Sequence, residues 1–99
     1  MAQLARANHI RVLLASVPPA ANFPWRPGLE TVAPIRAINN WLARTAPALG
    51  ATFVDYTPVL ATPEGGMKPG LAYDGVHPTA AGYDAMAGVL EPVLKRLGV

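Results

Sequence analysis

Residues 73–83 have the sequence Tyr-Asp-Gly-Val-His-Pro-Thr-Ala-Ala-Gly-Tyr, and this stretch organises the interpretation of the whole chain. It places the carboxylate of Asp74 three residues before the imidazole of His77, so a single turn can bring the two side chains together. Gly75 permits a positive φ inside that turn, and Pro78 fixes φ directly after the histidine. The stretch therefore predicts a tight loop that presents an Asp–His pair just before a helix.

An Asp–His pair is half of the catalytic triad used in nucleophilic ester chemistry. The imidazole removes the proton of the nucleophile and later returns it to the leaving group, while the carboxylate holds the ring in one tautomer and stabilises the imidazolium. The alternative is structural, with Asp74 making local backbone hydrogen bonds and His77 capping the following helix. A metal site is disfavoured because the motif supplies two ligands and His9 is the only other histidine. We expect no metal and no cofactor.

The block from Asp74 to Thr79, followed by Gly82 and Tyr83, resembles the C-terminal catalytic block of the GDSL, or SGNH, hydrolases. Residues 12–19 and 52–56 also resemble the two strands that precede this block in the family. The resemblance implies an α/β fold, namely the C-terminal portion of a flavodoxin-like, three-layer α/β/α domain with a parallel sheet. It also implies that Asp74 and His77 are catalytic residues of a serine ester hydrolase. Family substrates include acetylated sugars, short-chain esters, lysophospholipids and acyl thioesters.

The sequence departs from the family pattern in one respect. The Gly-Asp-Ser block that carries the nucleophile, and the blocks that carry the oxyanion-hole glycine and asparagine, are absent from these 99 residues. We therefore expect the chain to be a C-terminal half that starts inside a helix at residues 2–8 and is inactive alone. The alternative function is that of a noncatalytic fragment that self-associates or pairs with a complementary chain. No signal peptide is evident at residue 1, and the location of the parent protein stays open.

The composition favours a single partial domain, residues 1–99, with some of its apolar surface covered by missing chain or another subunit. The sequence is 52% hydrophobic and 14% charged, whereas about 25% of residues are charged in a typical protein. A small domain has more surface per residue and should need more charge. The 8 basic and 6 acidic residues are scattered, which argues against nucleic acid as a partner. With no cysteine, disulfides, zinc–thiolate sites and a cysteine nucleophile are excluded.

Taken in order, the apolar patterns predict a βαβ unit followed by a long helix. Strands are expected near residues 10–16 and 52–55, and helices near residues 34–49 and 80–97. The strand–helix–strand order implies a right-handed crossover between parallel strands. We expect Pro47 to kink the first of these helices or tighten its last turn, and Pro92 to kink the second.

Four further residues are candidates for a functional site. Ser16, the only serine, is followed by an extended Val-Pro-Pro segment instead of the strand-to-helix turn that exposes a nucleophile, so we expect no catalytic role. Trp25, with its neighbour Phe23, follows a strand on the ligand-binding side of a parallel sheet. It is a candidate for substrate binding, or an anchor for its loop. Asp55 is expected to cap a turn, and Trp41 to be a core or packing residue, with a ligand platform as the alternative.

Overall fold

The computed structural model describes residues 1–98 and shows an α/β fold with a parallel sheet, which confirms the predicted fold class. Two strands and four α-helices alternate along the chain. They are α1 (Ala2–Ala7), β1 (Leu13–Ala15), α2 (Val32–Thr45), β2 (Thr52–Val54), α3 (Thr57–Leu60) and α4 (Ala80–Arg96), with a 3₁₀ turn at Pro47–Leu49.

Strands β1 and β2 pair in parallel with Leu14 opposite Phe53. β1 is shorter than the segment 10–16 predicted from the apolar run, because its ladder reaches only from the carbonyl of Val12 to the amide of Ser16, both bonded to β2. Ile10 is 61% exposed. Because β2 is its single neighbour, β1 contains only the residues that pair with β2.

Helix α2 begins two residues before Pro34 and ends at Thr45, so the predicted helix 34–49 is divided. The amide of Ala46 makes the last helical bond, to the carbonyl of Leu42. Pro47 has no N–H with which to continue the series, and the chain tightens into the 3₁₀ turn Pro47–Leu49. Gly50, with φ of 72°, then redirects the chain towards β2.

The core lies on one face of the sheet, between β2 and helices α3 and α4. Its buried members are Val54, Tyr56, Leu60 and Val93. Helix α4 is continuous from Ala80 to Arg96 across Pro92, where we expected a kink. Tyr83, in the first turn of α4, is 59% exposed. The buried residues of α4 are Gly82 near its start and Val93 in the core cluster.

Helix α2 lies on the opposite face, where Phe53 shares a cleft with Arg36, Asn39 and Ala43. An outward apolar stripe remains on α2, formed by Pro34, Ala37, Ile38 and Trp41. The expectation that Trp41 packs in the core is wrong, since the residue is 54% exposed.

The overall dimensions agree with incomplete coverage of the sheet and helices. The Cα radius of gyration is 14.8 Å, against about 13 Å for a compact chain of this length. The extents of 42 × 25 × 21 Å show an elongated body.

Candidate active site

The loop between α3 and α4 brings Asp74 and His77 into direct contact. Nδ1 of His77 lies 2.7 Å from Oδ2 of Asp74. The other carboxylate oxygen, Oδ1, accepts from the backbone amides of Val76 at 2.9 Å and His77 at 2.8 Å. Gly75 between them has φ of 83°, a conformation that a residue with a side chain adopts only with strain. The geometry matches the close pair expected from the spacing.

Backbone hydrogen bonds close this loop on itself and join it to the first turn of α4. The amide of Tyr73 donates to the carbonyl of His77 at 3.0 Å, and the amide of Thr79 donates to the carbonyl of Leu71 at 2.9 Å. The Thr79 hydroxyl donates to the carbonyl of Gly70 and accepts from the amide of Gly82, which caps α4. The Asp–His pair is therefore held by its own turn and by a helix start.

These hydrogen bonds hold the pKa of Asp74 well below its ordinary value. The largest cause is the backbone amide of His77, followed by the His77 ring and by the amide of Val76. Each of these donors stabilises the ionised carboxylate. Because an ionised carboxylate only accepts hydrogen bonds, Nδ1 of His77 carries a proton, and Nε2 is the nitrogen left to exchange one.

Ser16 is engaged elsewhere. Its side chain is buried, and its hydroxyl oxygen accepts a hydrogen bond from the amide of Tyr56 at 2.9 Å. This bond ties the end of β1 to the end of β2. The only serine of the chain thus has a structural position.

Trp25, the predicted substrate-binding residue, lies beside His77. The centroids of the two rings are 5.8 Å apart, and the planes are tilted by 43°. Phe23 stacks on Trp25 with centroids 5.2 Å apart and an interplanar angle of 5°. The sequence did not predict the contact between Trp25 and the imidazole, because the two residues lie far apart along the chain.

A groove of about 580 Å³ opens between this aromatic pair and the N-terminal half of α2, and His77 contributes to its wall. The sequence indicated Trp25 and Phe23 as candidates for one rim of a pocket, but it did not predict the wall formed by α2. The available signal was the cluster of apolar residues that flanks the start of α2, among them Leu29, Pro34 and Ile38.

The remaining candidates have local or structural positions. Oδ1 of Asp55 accepts from the amide of Thr57 at 3.0 Å, so Asp55 caps the turn of α3 as expected. His9 follows α1 with φ of 59°. Within residues 1–98, no three side chains suited to binding a metal ion lie together, and no helix has the length and hydropathy to cross a membrane.

The sequence matches the model of the GDSL-like lipase/acylhydrolase family over residues 1–85. No curated protein matches the chain.

The solved structures similar to this chain include those of three bacterial proteins. A GDSL-like lipase from Bacteroides thetaiotaomicron is 37% identical over 97% of this chain and 48% of its own, with a TM-score of 0.86. A candidate acylhydrolase from Bacteroides fragilis is 34% identical over 96% of this chain and 47% of its own, with a TM-score of 0.85. A streptococcal protein, described as a candidate platelet activating factor, is 25% identical over 92% and 45%, with a TM-score of 0.77. The chain thus spans about half the length of each.

Proposed function

The chain belongs to the GDSL-like lipase/acylhydrolase family, and we propose that it supplies His77 as general base and Asp74 as its orienting carboxylate to a serine ester hydrolase. The observation that carries the proposal is the 2.7 Å contact between Nδ1 of His77 and Oδ2 of Asp74. A purely structural pair does not need the imidazole, because the two backbone amides already satisfy Oδ1. The ring contact adds what an imidazole base requires, namely a fixed tautomer.

In the proposed reaction, Nε2 of His77 takes the proton from a serine hydroxyl as its oxygen bonds to the ester carbonyl carbon. The imidazolium forms beside the carboxylate of Asp74, which stabilises its charge. When the tetrahedral intermediate collapses, the bond between the carbonyl carbon and the alcohol oxygen breaks, and Nε2 gives its proton to that oxygen. Water then attacks the acyl-serine by the same proton route, which releases the carboxylic acid and restores the serine.

The nucleophile in this proposal comes from a segment outside these 99 residues. Two observations support this assignment. The hydroxyl of Ser16 is buried and bonded to the backbone of β2's end, and the chain spans about half of the similar lipase and acylhydrolase structures. We therefore expect the isolated chain to hydrolyse p-nitrophenyl acetate no faster than free imidazole does.

A fusion tests the proposal directly. The part of the Bacteroides thetaiotaomicron lipase that this chain does not cover is joined to residues 1–99, and hydrolysis of p-nitrophenyl acetate is measured. We expect turnover that His77→Ala removes, and that Asp74→Asn lowers by about 10⁴-fold in kcat because the imidazole loses its tautomer. His9→Asn is the matched control, since it removes the other histidine at a position with positive φ. An active fusion that keeps its turnover after His77→Ala contradicts the proposal.

A second candidate function is that of a noncatalytic fragment that pairs with itself or with a complementary chain. It is favoured by the exposed stripe on α2 and by a sheet of only two strands. The two functions differ in the fusion experiment, because a purely noncatalytic fragment yields no turnover that depends on His77.

A further inference from the structure

The groove beside His77 is built almost entirely from apolar side chains. Its walls are formed by Phe23, Trp25 and Leu29 on one side and by Pro34, Ile35 and Ile38 of α2 on the other. Such a concave apolar surface, with a few polar groups at one end, is the usual form of a small-molecule site. A sizeable exposed apolar surface in a soluble protein indicates an occupant.

Apart from Nε2 of His77 and the second carboxylate oxygen of Glu30, the polar side-chain groups of the groove are already hydrogen-bonded within the protein. The hydroxyl of Thr31 donates to the carbonyl of Ala20, and the amide of Val17 donates to Oδ1 of Asn39. The carboxylate of Glu30 accepts from the amide of Ala33 at the exposed edge. A sugar would leave its hydroxyl groups without partners against these walls, whereas an aliphatic chain needs none. The lining therefore selects an aliphatic ligand.

The aromatic side of the groove is arranged for contact with a ligand. The amide of Arg26 donates to the carbonyl of Phe23 at 2.9 Å, which closes a tight turn around Trp25. Trp25 stays 59% exposed although its ring is stacked on Phe23. A rigid, half-exposed indole offers a large contact area at little cost in conformational entropy.

The position of His77 decides which part of an ester enters the groove. Nδ1 is occupied by Asp74, so Nε2 donates the proton to the leaving alcohol oxygen. The carbon chain attached to that oxygen starts next to the imidazole, and the apolar ring of Trp25 lies close by, with its centroid 5.8 Å from that of the imidazole. We propose that this groove binds the alcohol portion of the substrate ester and that this portion is an aliphatic chain. The inference rests on the proposed hydrolase function and names its substrate class.

Binding of free alcohols to the 99-residue chain tests the inference without catalysis. Trp41→Phe leaves Trp25 as the only tryptophan, and its fluorescence is followed during titration with 1-butanol, 1-hexanol and 1-octanol. We expect the dissociation constant to fall about fourfold for each added methylene, as expected for burial of an aliphatic chain. Equal affinity for butanol and octanol would overturn the inference.

Matched variants locate the site. Amide NMR shifts of Val76 and Ile38 report octanol binding in each variant. We expect Trp25→Ala to weaken binding about tenfold or more, and Trp41→Ala, which removes a similarly exposed indole outside the groove, to change it less than twofold. Ile38→Gln places an amide in the opposite wall and gives an independent test with the loop intact. Equal losses in Trp25→Ala and Trp41→Ala, or a dimer that occupies the groove and excludes octanol, would show that the inference is wrong.

The active fusion distinguishes the alcohol side from the acyl side. We expect kcat/KM to rise with alcohol length in a series of acetate esters, and Trp25→Ala to flatten that rise. A rise with acyl length instead would assign the groove to the acyl chain and overturn the inference. Octanol binding without any turnover counts against the hydrolase proposal, whereas turnover without dependence on alcohol length counts against the groove alone.

Discussion

The carboxylate of Asp74 serves two parts of its loop at once. One oxygen is bonded to backbone amides within its own turn, and the other holds the imidazole of His77. The backbone bonds fix the position of the carboxylate whether or not the ring is present. The imidazole of His77 therefore contacts a carboxylate whose position the backbone of the turn already fixes.

The titration of Asp74 provides a test at this scale. Because the folded pKa of Asp74 is lowered from an ordinary value of about 3.9, its contribution to stability is complete above about pH 4 and declines as the pH falls towards the lowered pKa. We expect the carboxyl carbon of Asp74 to keep its ionised NMR shift well below pH 4. In His77→Ala the pKa should rise only part of the way, since both amides remain. A return to the ordinary value would show that the ring is the main cause.

Ser16→Ala separates a structural from a chemical role for the only serine. The substitution leaves the buried amide of Tyr56 without its 2.9 Å partner, which costs about 1–3 kcal/mol in the free energy of unfolding. Urea denaturation measures this loss. In the active fusion we expect kcat on p-nitrophenyl acetate to stay within about twofold. A loss of turnover without a loss of stability would contradict the structural assignment.

The sequence predicted the Asp74–His77 contact because it depends on residues within one turn. The contact between Trp25 and His77 depends on how two distant loops meet above the sheet, and no local pattern encodes that meeting. The pattern therefore left two interpretations of Trp25 open.

At the scale of the elements, the start of α4 fixes the position of the loop that carries Asp74 and His77. Gly82 packs directly against the carbonyl of Leu71, leaving no room for a β-carbon. The same carbonyl accepts from the amide of Thr79. Any shift of this first turn is therefore passed to the loop that carries His77.

Two glycines of α4 give a matched pair of substitutions. Gly82→Ala drives a methyl group into the backbone of residue 71, and we expect it to destabilise the fold by about 1–3 kcal/mol. Gly88→Ala meets no atom within 4 Å and should stabilise the helix by about 0.5–1 kcal/mol. Thermal or urea unfolding checks both. Effects of the same sign would contradict the close packing at residue 82.

The sequence predicted the order of these elements better than their ends. Apolar runs and proline positions indicate where strands and helices occur. Strand β1 is shorter than predicted because it pairs with only one strand, and helix α2 ends before Pro47. The helical pattern of α2 also placed Ile35, Ile38 and Leu42 on one stripe. In the structure Ile38 lies outward, 47% exposed, because the sheet is too narrow to cover both apolar sides of the helix.

At the scale of the whole molecule, apolar surface on α2 has no cover within the described residues. A helix that is apolar on two sides is normally buried between other elements. The elongated body and two-stranded sheet agree with this interpretation. We propose that the part of the stripe on α2 outside the groove, at Ala37 and Trp41, is covered by the nucleophile-bearing segment in the complete protein and by a second copy when the chain is alone.

Sedimentation of the isolated chain tests this proposal. We expect concentration-dependent dimers that Trp41→Glu shifts towards monomers by placing a charge on the stripe. Asn40→Glu adds the same charge one position along α2, off the stripe, and should leave the dimers in place. A monomer at every concentration with a cooperative unfolding transition would contradict self-association.

The hydrogen bonds that shape the Asp–His loop lie within residues 70–82. Under the proposed function, this base takes its shape before a nucleophile is present. The two parts of the proposed hydrolase therefore suit a split reporter, in which each part is fused to one of two binding proteins. Binding of those two proteins to each other would then be detected as ester cleavage. The part that carries Asp74 and His77 would supply the proton acceptor and, on its own, would give little background signal.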